Sequence, residues 1–226
     1  MNPIFDPVLA DLSERHRDEI LSAFAAVENS PDPVPEGLLA GLRDATLRRS
    51  VEEMLSLIGR TLVRAGQAKW TSGYRDDIAA RLTAGGWNGL EPTDRAVLAL
   101  VLIHSVAIPR TEGTLVGDSW VDGTPTPVEE LARRSQIPRG ELRQSLSRLR
   151  AAGLVRVVPA RFRPGSLPQN TAYLPGPQFH RLTEAARRRL QEELILAAGP
   201  GTPLAAAIRR RRAHDPARET PEKGAQ

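Results

Sequence analysis

Residues 126–158 read TPVEELARRSQIPRGELRQSLSRLRAAGLVRVV, and this stretch decides the fold. Thr126-Pro127-Val128-Glu129 combines a hydroxyl at the N-cap, Pro at the first helical position and Glu at N3, three helix-start signals in register. They predict a short helix, Val128 to Ser135, with Leu131 and Ala132 turned inward. Gln136-Ile137-Pro138-Arg139 is a tight connection in which Ile137 serves as the apolar pin. A second helix runs from Arg139 to Ala152 and stops at Gly153, a residue suited to the left-handed position after a helix. Leu154-Val155-Arg156-Val157-Val158 follows at once and is β-branched enough to form a strand.

Short helix, tight turn, longer helix and strand is the order of a helix-turn-helix that leads into a wing. On the second helix Leu142, Leu146 and Leu149 define the inward line. At ~100° per residue, Gly140, Gln144, Ser147 and Ala151 then fall on the opposite face, flanked by Arg143 and Arg148, with Arg139 and Arg150 nearer the rim. Such a face suits a major groove. Gln can pair with adenine, Ser with several bases, Arg with phosphate or guanine, and Gly140 lets the backbone come close. Arg161 and Arg163 lie in the Pro- and Gly-containing loop that would form the wing tip, residues 159–172. The candidate DNA-contacting residues are therefore Arg139, Gly140, Arg143, Gln144, Ser147, Arg148, Arg161 and Arg163.

The run Leu149-Arg150-Ala151-Ala152-Gly153-Leu154-Val155 resembles the end of the recognition helix in winged-helix regulators of the MarR and GntR type. Leu182-Thr183-Glu184, followed by an Arg-rich helix, is similar to the way MarR-type proteins leave the wing. The resemblance covers residues 91–198. It departs at Gln136, where the turn usually carries Gly, and at Ala186, where MarR-type proteins usually carry Gly. It implies a winged helix-turn-helix domain that binds double-stranded DNA. Residues 1–86 carry no such resemblance.

Upstream, Pro7 to Glu28 has helical apolar spacing and ends at Asn29-Ser30-Pro31-Asp32-Pro33-Val34-Pro35, which no helix crosses. Two further helices are expected over Leu38–Arg49 and Val51–Ala65, divided by the capping-box pattern Ser50-Val51-Glu52-Glu53, and a short one over Tyr74–Thr83. Ala96 to Ile108 is apolar almost all round. Thirteen residues are too few for a bilayer, so a buried helix ended by Pro109 is expected. Leu115–Val121 has the alternation of a short strand. Beyond Gly199 the chain reads as a basic, mostly disordered tail containing Arg209–Arg212. No internal repeat is visible. The expected fold is mainly α with a small β wing: a helical N-terminal domain (1–86), a winged helix-turn-helix domain (87–198) and the tail (199–226).

The 226 residues carry a net charge of only +4, but the charge is unevenly placed. Residues 1–86 hold 10 basic and 13 acidic side chains, 87–127 hold 2 and 5, and 128–226 hold 19 and 9. A basic half facing a polyanion is the reading this asymmetry supports. The choice of Arg (29, against 2 Lys) accompanies 29 Ala and follows genome composition, so only the position of the charge is informative. Without cysteine there is no disulfide framework, thiolate metal site or cysteine nucleophile.

His16, His104, His180 and His214 are scattered without metal spacing, and His104 reads as a core histidine. Gly117-Asp118-Ser119 resembles the nucleophile motif of GDS-type hydrolases but lacks the Asp-x-x-His that should follow near the end, and no phosphate-binding loop is present. The expectation is a cytoplasmic, nucleoid-associated, non-enzymatic regulator with no cofactor or metal. Its protomers would pair through Leu190, Leu194 and Ala197 of helix Glu184–Ala198 or through the N-terminal helices. The alternative is an accessory subunit of a DNA-organising or defence complex, docking a protein through residues 1–86.

Overall fold

The structure, a computed structural model, describes residues 3–85, 89–117, 119–159, 171–198 and 201–214. It is mainly helical with two small antiparallel sheets. The first half runs α1 (Asp6–Leu9), α2 (Glu14–Asn29), β1 (Val34–Pro35), α3 (Ala40–Arg43), α4 (Ala45–Leu57), β2 (Arg60–Arg64), β3 (Lys69–Tyr74) and α5 (Asp76–Ala84). The second runs α6 (Pro92–Leu102), a π-helical turn Ile103–Ala107, α7 (Ile108–Thr111), β4 (Thr126–Pro127), α8 (Val128–Arg134), α9 (Arg139–Ala151), β5 (Val155–Pro159), β6 (Thr171–Pro175), α10 (Glu184–Ala198) and α11 (Pro203–Ala213).

The two halves follow one plan. Each has a long helix, a two-residue strand, a helix pair and a hairpin, and the sheets have equivalent orders, β1-β3-β2 and β4-β6-β5. In the first half Ile20, Ala23 and Val27 of α2 meet Val51, Met54 and Leu55 of α4. In the second, Val97 and Val101 of α6 meet Leu142, Leu146 and Leu149 of α9. The topological repeat has no counterpart in sequence, and residues 1–86 are not purely helical.

Local chemistry explains where the helices of the first half begin and end. The expected Pro7–Glu28 helix is divided because Ser13 adopts extended backbone (ψ 153°) and caps α2, its Oγ accepting from His16 N. Asp44 caps α4, its carboxylate accepting from the amides of Thr46 (2.7 Å) and Leu47 (3.1 Å). Those two bonds hold Asp44 below the ordinary carboxylate range. Ser50, expected as a cap, therefore lies inside α4. At the other end Gly59 takes φ +75°, left-handed backbone that glycine accommodates, and α4 stops there instead of reaching Ala65. The freed residues pair as a hairpin, Thr61 with Gly73 and Val63 with Thr71.

Pro109 does not end the apolar helix. Without an amide hydrogen it leaves the Ser105 carbonyl without its usual donor four residues on, and the helix relaxes into the π-helical turn. Thr124 N–H supplies the missing bond at 2.8 Å. The close approach requires Gly123, whose Cβ would lie 2.4 Å from the Ser105 carbonyl oxygen. The continuous helix Pro92–Thr111 has 20 residues and by length and composition could cross a membrane. Here it is the central helix of its half, with Val97, Val101, Leu102 and Val106 buried. Residues 115–117 and 119–121 form no strand; Trp120 and Val121 instead enter the core beside Phe179.

The segment beyond Gly199 also differs from expectation over 203–213. Thr202 caps α11, Ala205 and Ile208 are buried, and Arg211 and Arg212 bridge to Glu192 and Glu193 of α10. Leu190 and Leu194 of α10 likewise pack on the core of their own chain, whereas Ala197, the third residue of the expected pairing face, is exposed.

Arg181 latches the halves together. It ends the 3-10 turn Pro177–Arg181, and its Nη2 donates to the carbonyls of Glu28 and Ser30 at 2.9 Å each. Nη1 donates to Ser72 Oγ (2.7 Å), Ser72 O (3.2 Å) and Val27 O (3.3 Å). The cation thus sits where the C-terminal carbonyls of α2 gather, a favoured place for positive charge. Gly73 makes room for it: a Cβ there would come within 2.1 Å of the Arg181 carbonyl oxygen.

Candidate nucleic-acid interface

Helix α9 is fixed from beneath. Leu142, Leu146 and Leu149 are at most 1 % exposed and pack with Val97, Val101, Leu131 and Val155. The turn before it runs from Ser135, whose amide closes α8 on the Leu131 carbonyl, to Pro138 at the N-cap of α9. Ile137 is half-buried against the same core. Thr126 is not the helix cap: it lies in β4, buried, with its hydroxyl 2.9 Å from Ser105 Oγ, and Pro127 takes the N-cap position without a side-chain bond. At the far end Gly153 adopts φ +69° and turns the chain into β5. Arg156 of β5 is pinned by a bond from Nη2 to the Val121 carbonyl (2.8 Å).

The opposite face of α9 is open. Arg139, Gly140, Arg143, Gln144 and Ser147 are all exposed, and a Cβ built on Gly140 meets nothing within 4 Å. Exposed Arg133 and Arg134 of α8 lie on the neighbouring helix, Arg134 within 3.6 Å of Glu130. Five of the eight residues singled out from sequence are thereby brought onto one solvent-facing strip. Arg161 and Arg163 lie outside the described residues.

Arg148 also makes a contact within the protein that the sequence did not announce. Its guanidinium grips Asp94 of α6 with two bonds, Nε to Oδ2 at 2.9 Å and Nη2 to Oδ1 at 2.7 Å. Asp94 is 4 % exposed, and the Arg148 bond holds its carboxyl below the usual range. Nε and Nη2 are thereby committed to a buried carboxylate and position α9, while Nη1 of the half-exposed side chain is not part of that grip. Thr93 Oγ1 donates to Glu141 at 2.8 Å and adds a second tie between the two helices. The sequence signal for Asp94 was an acid at the third residue of the most apolar helix among those described. Its partner, 54 residues away, had none.

His104 is half-buried, and desolvation holds it below the ordinary imidazole value. Among the described residues no cluster of His, Asp and Glu could hold a metal.

No protein-family model matches the chain, and no curated protein matches it. Among solved structures the chain is similar to a conserved hypothetical protein from Chlorobium tepidum, at 17 % identity over 74 % of this chain and 96 % of that one. The TM-score of 0.28 is too low for that likeness to inform either fold or function.

Proposed function

We propose that the chain binds double-stranded DNA through a winged helix, α9 entering the major groove and the β5–β6 hairpin acting as the wing. The observation that carries the reading is the open strip Arg139, Gly140, Arg143, Gln144 and Ser147, backed by a buried leucine line and tied to α6 at Asp94. Rigid support beneath an exposed cationic and amide strip is what base reading requires. The biological role would be bacterial transcription regulation in the cytoplasm, by a homodimer on a two-fold operator. Light scattering at micromolar concentration that reports only monomer counts against the dimer.

A second reading is supported by the repeated plan of the first half. There α4 occupies the place of α9, yet its outward residues include Glu52 and Glu53. With Arg48 and Arg49 beside those carboxylates α4 carries no net charge, and a charge-balanced helix in that position suits a protein partner better than phosphate. The chain would then be an accessory subunit of a DNA-organising or defence complex, with sequence-blind contact to DNA. Selection of bound sites from random duplexes separates the two. A palindromic motif supports the regulator. Salt-sensitive binding without a motif supports the subunit.

A further inference from the structure

A cleft of about 880 Å³ lies where the two halves meet, and neither reading of function uses it. The turn of the first hairpin and residues 32–33 form one wall; β5, residues 119–122 and 177–180, and α10 form the other. Three permanent cations line it: Lys69, Arg156 and Arg187. Arg156 Nη2 is anchored on the Val121 carbonyl and Arg187 Nε on the Leu182 carbonyl (3.1 Å), which orients both guanidiniums while leaving other donors of each fork available. Lys69 makes no ion pair among the described residues. Between the cations the apolar lining is half-buried Pro33, Ala65 and Pro177, backed by the buried pair Trp120 and Phe179, whose rings stack 6.3 Å apart. His180 also faces the cleft, and burial keeps it below its ordinary value, so the fixed positive charge comes from the other three.

We propose that this cleft binds a small organic anion, a carboxylate or phosphate monoester on an apolar body, with Lys69, Arg156 and Arg187 at the head group and Pro33, Ala65 and Pro177 along the body. The volume is that of a small-molecule site, and a few fixed polar groups in an apolar wall are the usual composition of one. Asp32 and Asp122 stand in the same lining. They would repel a continuous phosphate backbone, which disfavours a nucleic-acid strand, while a single anionic group can seat against the cations alone. The proposal is independent of DNA binding.

The test uses the full chain with phenylphosphate, benzoate and inorganic phosphate, followed by calorimetry and by the thermal unfolding midpoint. Saturable binding of phenylphosphate or benzoate is expected in the millimolar range, the tighter of the two identifying the head group. The double variant Lys69→Gln/Arg187→Gln weakens it ~10-fold, as removal of two charged contacts should. Arg188→Gln/Arg189→Gln, which removes the same charge from the outer face of α10, leaves it unchanged. The proposal is overturned by no saturable binding up to ~10 mM. Equal affinity in both variants also overturns it, as does inorganic phosphate binding as tightly as phenylphosphate.

Discussion

Replacing Arg181 with Ala removes the latch between the halves, and its cost can be worked out from the bonds it makes. Three of the five are well formed, at 2.7, 2.9 and 2.9 Å; the other two, at 3.2 and 3.3 Å, are long. A bond from a charged donor contributes ~1.5 kcal/mol net, so the three good ones account for ~4 kcal/mol. The long pair adds little, and the cation at the end of α2 adds ~0.5 kcal/mol. Against this stands burial of the guanidinium, which desolvation of Arg181 already opposes. A loss of about 3 kcal/mol remains, a large share of a typical domain's stability. Arg181→Lys keeps the charge but cannot span Glu28, Ser30 and Ser72 at once, and should recover under half of the loss. Urea denaturation followed by far-ultraviolet circular dichroism measures both. Separate unfolding of the two halves, with a broadened transition and a lower apparent m-value, is expected for Arg181→Ala. A loss below ~1 kcal/mol with an unchanged slope would mean that the carbonyls find water at no cost and that Arg181 is no latch.

Three further outcomes follow from the second half. Asp94 has a folded pKa below its unfolded value, so the stability of the Asp94–Arg148 pair is present above the ordinary carboxylate pKa and is lost as pH falls through the lowered one. Acid titration of the Asp94→Asn variant should accordingly show a shallower loss below about pH 4 than the parent chain. Leu146→Ala, at a fully buried position, should cost about 3 kcal/mol in chemical denaturation, and a cost under ~1 kcal/mol would place α9 on a softer core than the one described. Gly176→Ala should fail to fold normally, since its Cβ would lie 2.1 Å from the Gly153 carbonyl oxygen; a native circular dichroism spectrum and midpoint would contradict the packing of β6 against that turn.

What the sequence revealed was what is decided locally. The leucine spacing of α9, the Ile137 pin and the glycine stop at Gly153 act over a few residues, and the helix lies within one residue of its expected bounds. The β2–β3 hairpin was hidden because the apolar stripe of α4 continues into Leu62 and Val63, and only Gly59 marks the break. Pro109 gave a false stop because the Ser105 carbonyl it orphaned finds Thr124, fifteen residues further on in the loop beyond it. Long-range ties were illegible for the same reason. Asp94 with Arg148, and Arg181 with the end of α2, join residues whose own neighbours carry no trace of the partner. The repeat of one plan in both halves was invisible because topology constrains where apolar residues fall and leaves their identity free.

Contact between the open strip of α9 and DNA is tested most directly by fluorescence anisotropy on duplex DNA at ~50 mM salt, comparing the parent chain with Arg139→Ala, Arg143→Ala and Gln144→Ala. Each of these exposed residues can be changed without touching the leucine line beneath, so folding is not at issue. Measurable binding by the parent is expected, with a loss of about 1–3 kcal/mol for each contact removed, roughly 5- to 150-fold in affinity. No measurable binding, or three variants that bind as tightly as the parent, would contradict contact between α9 and DNA.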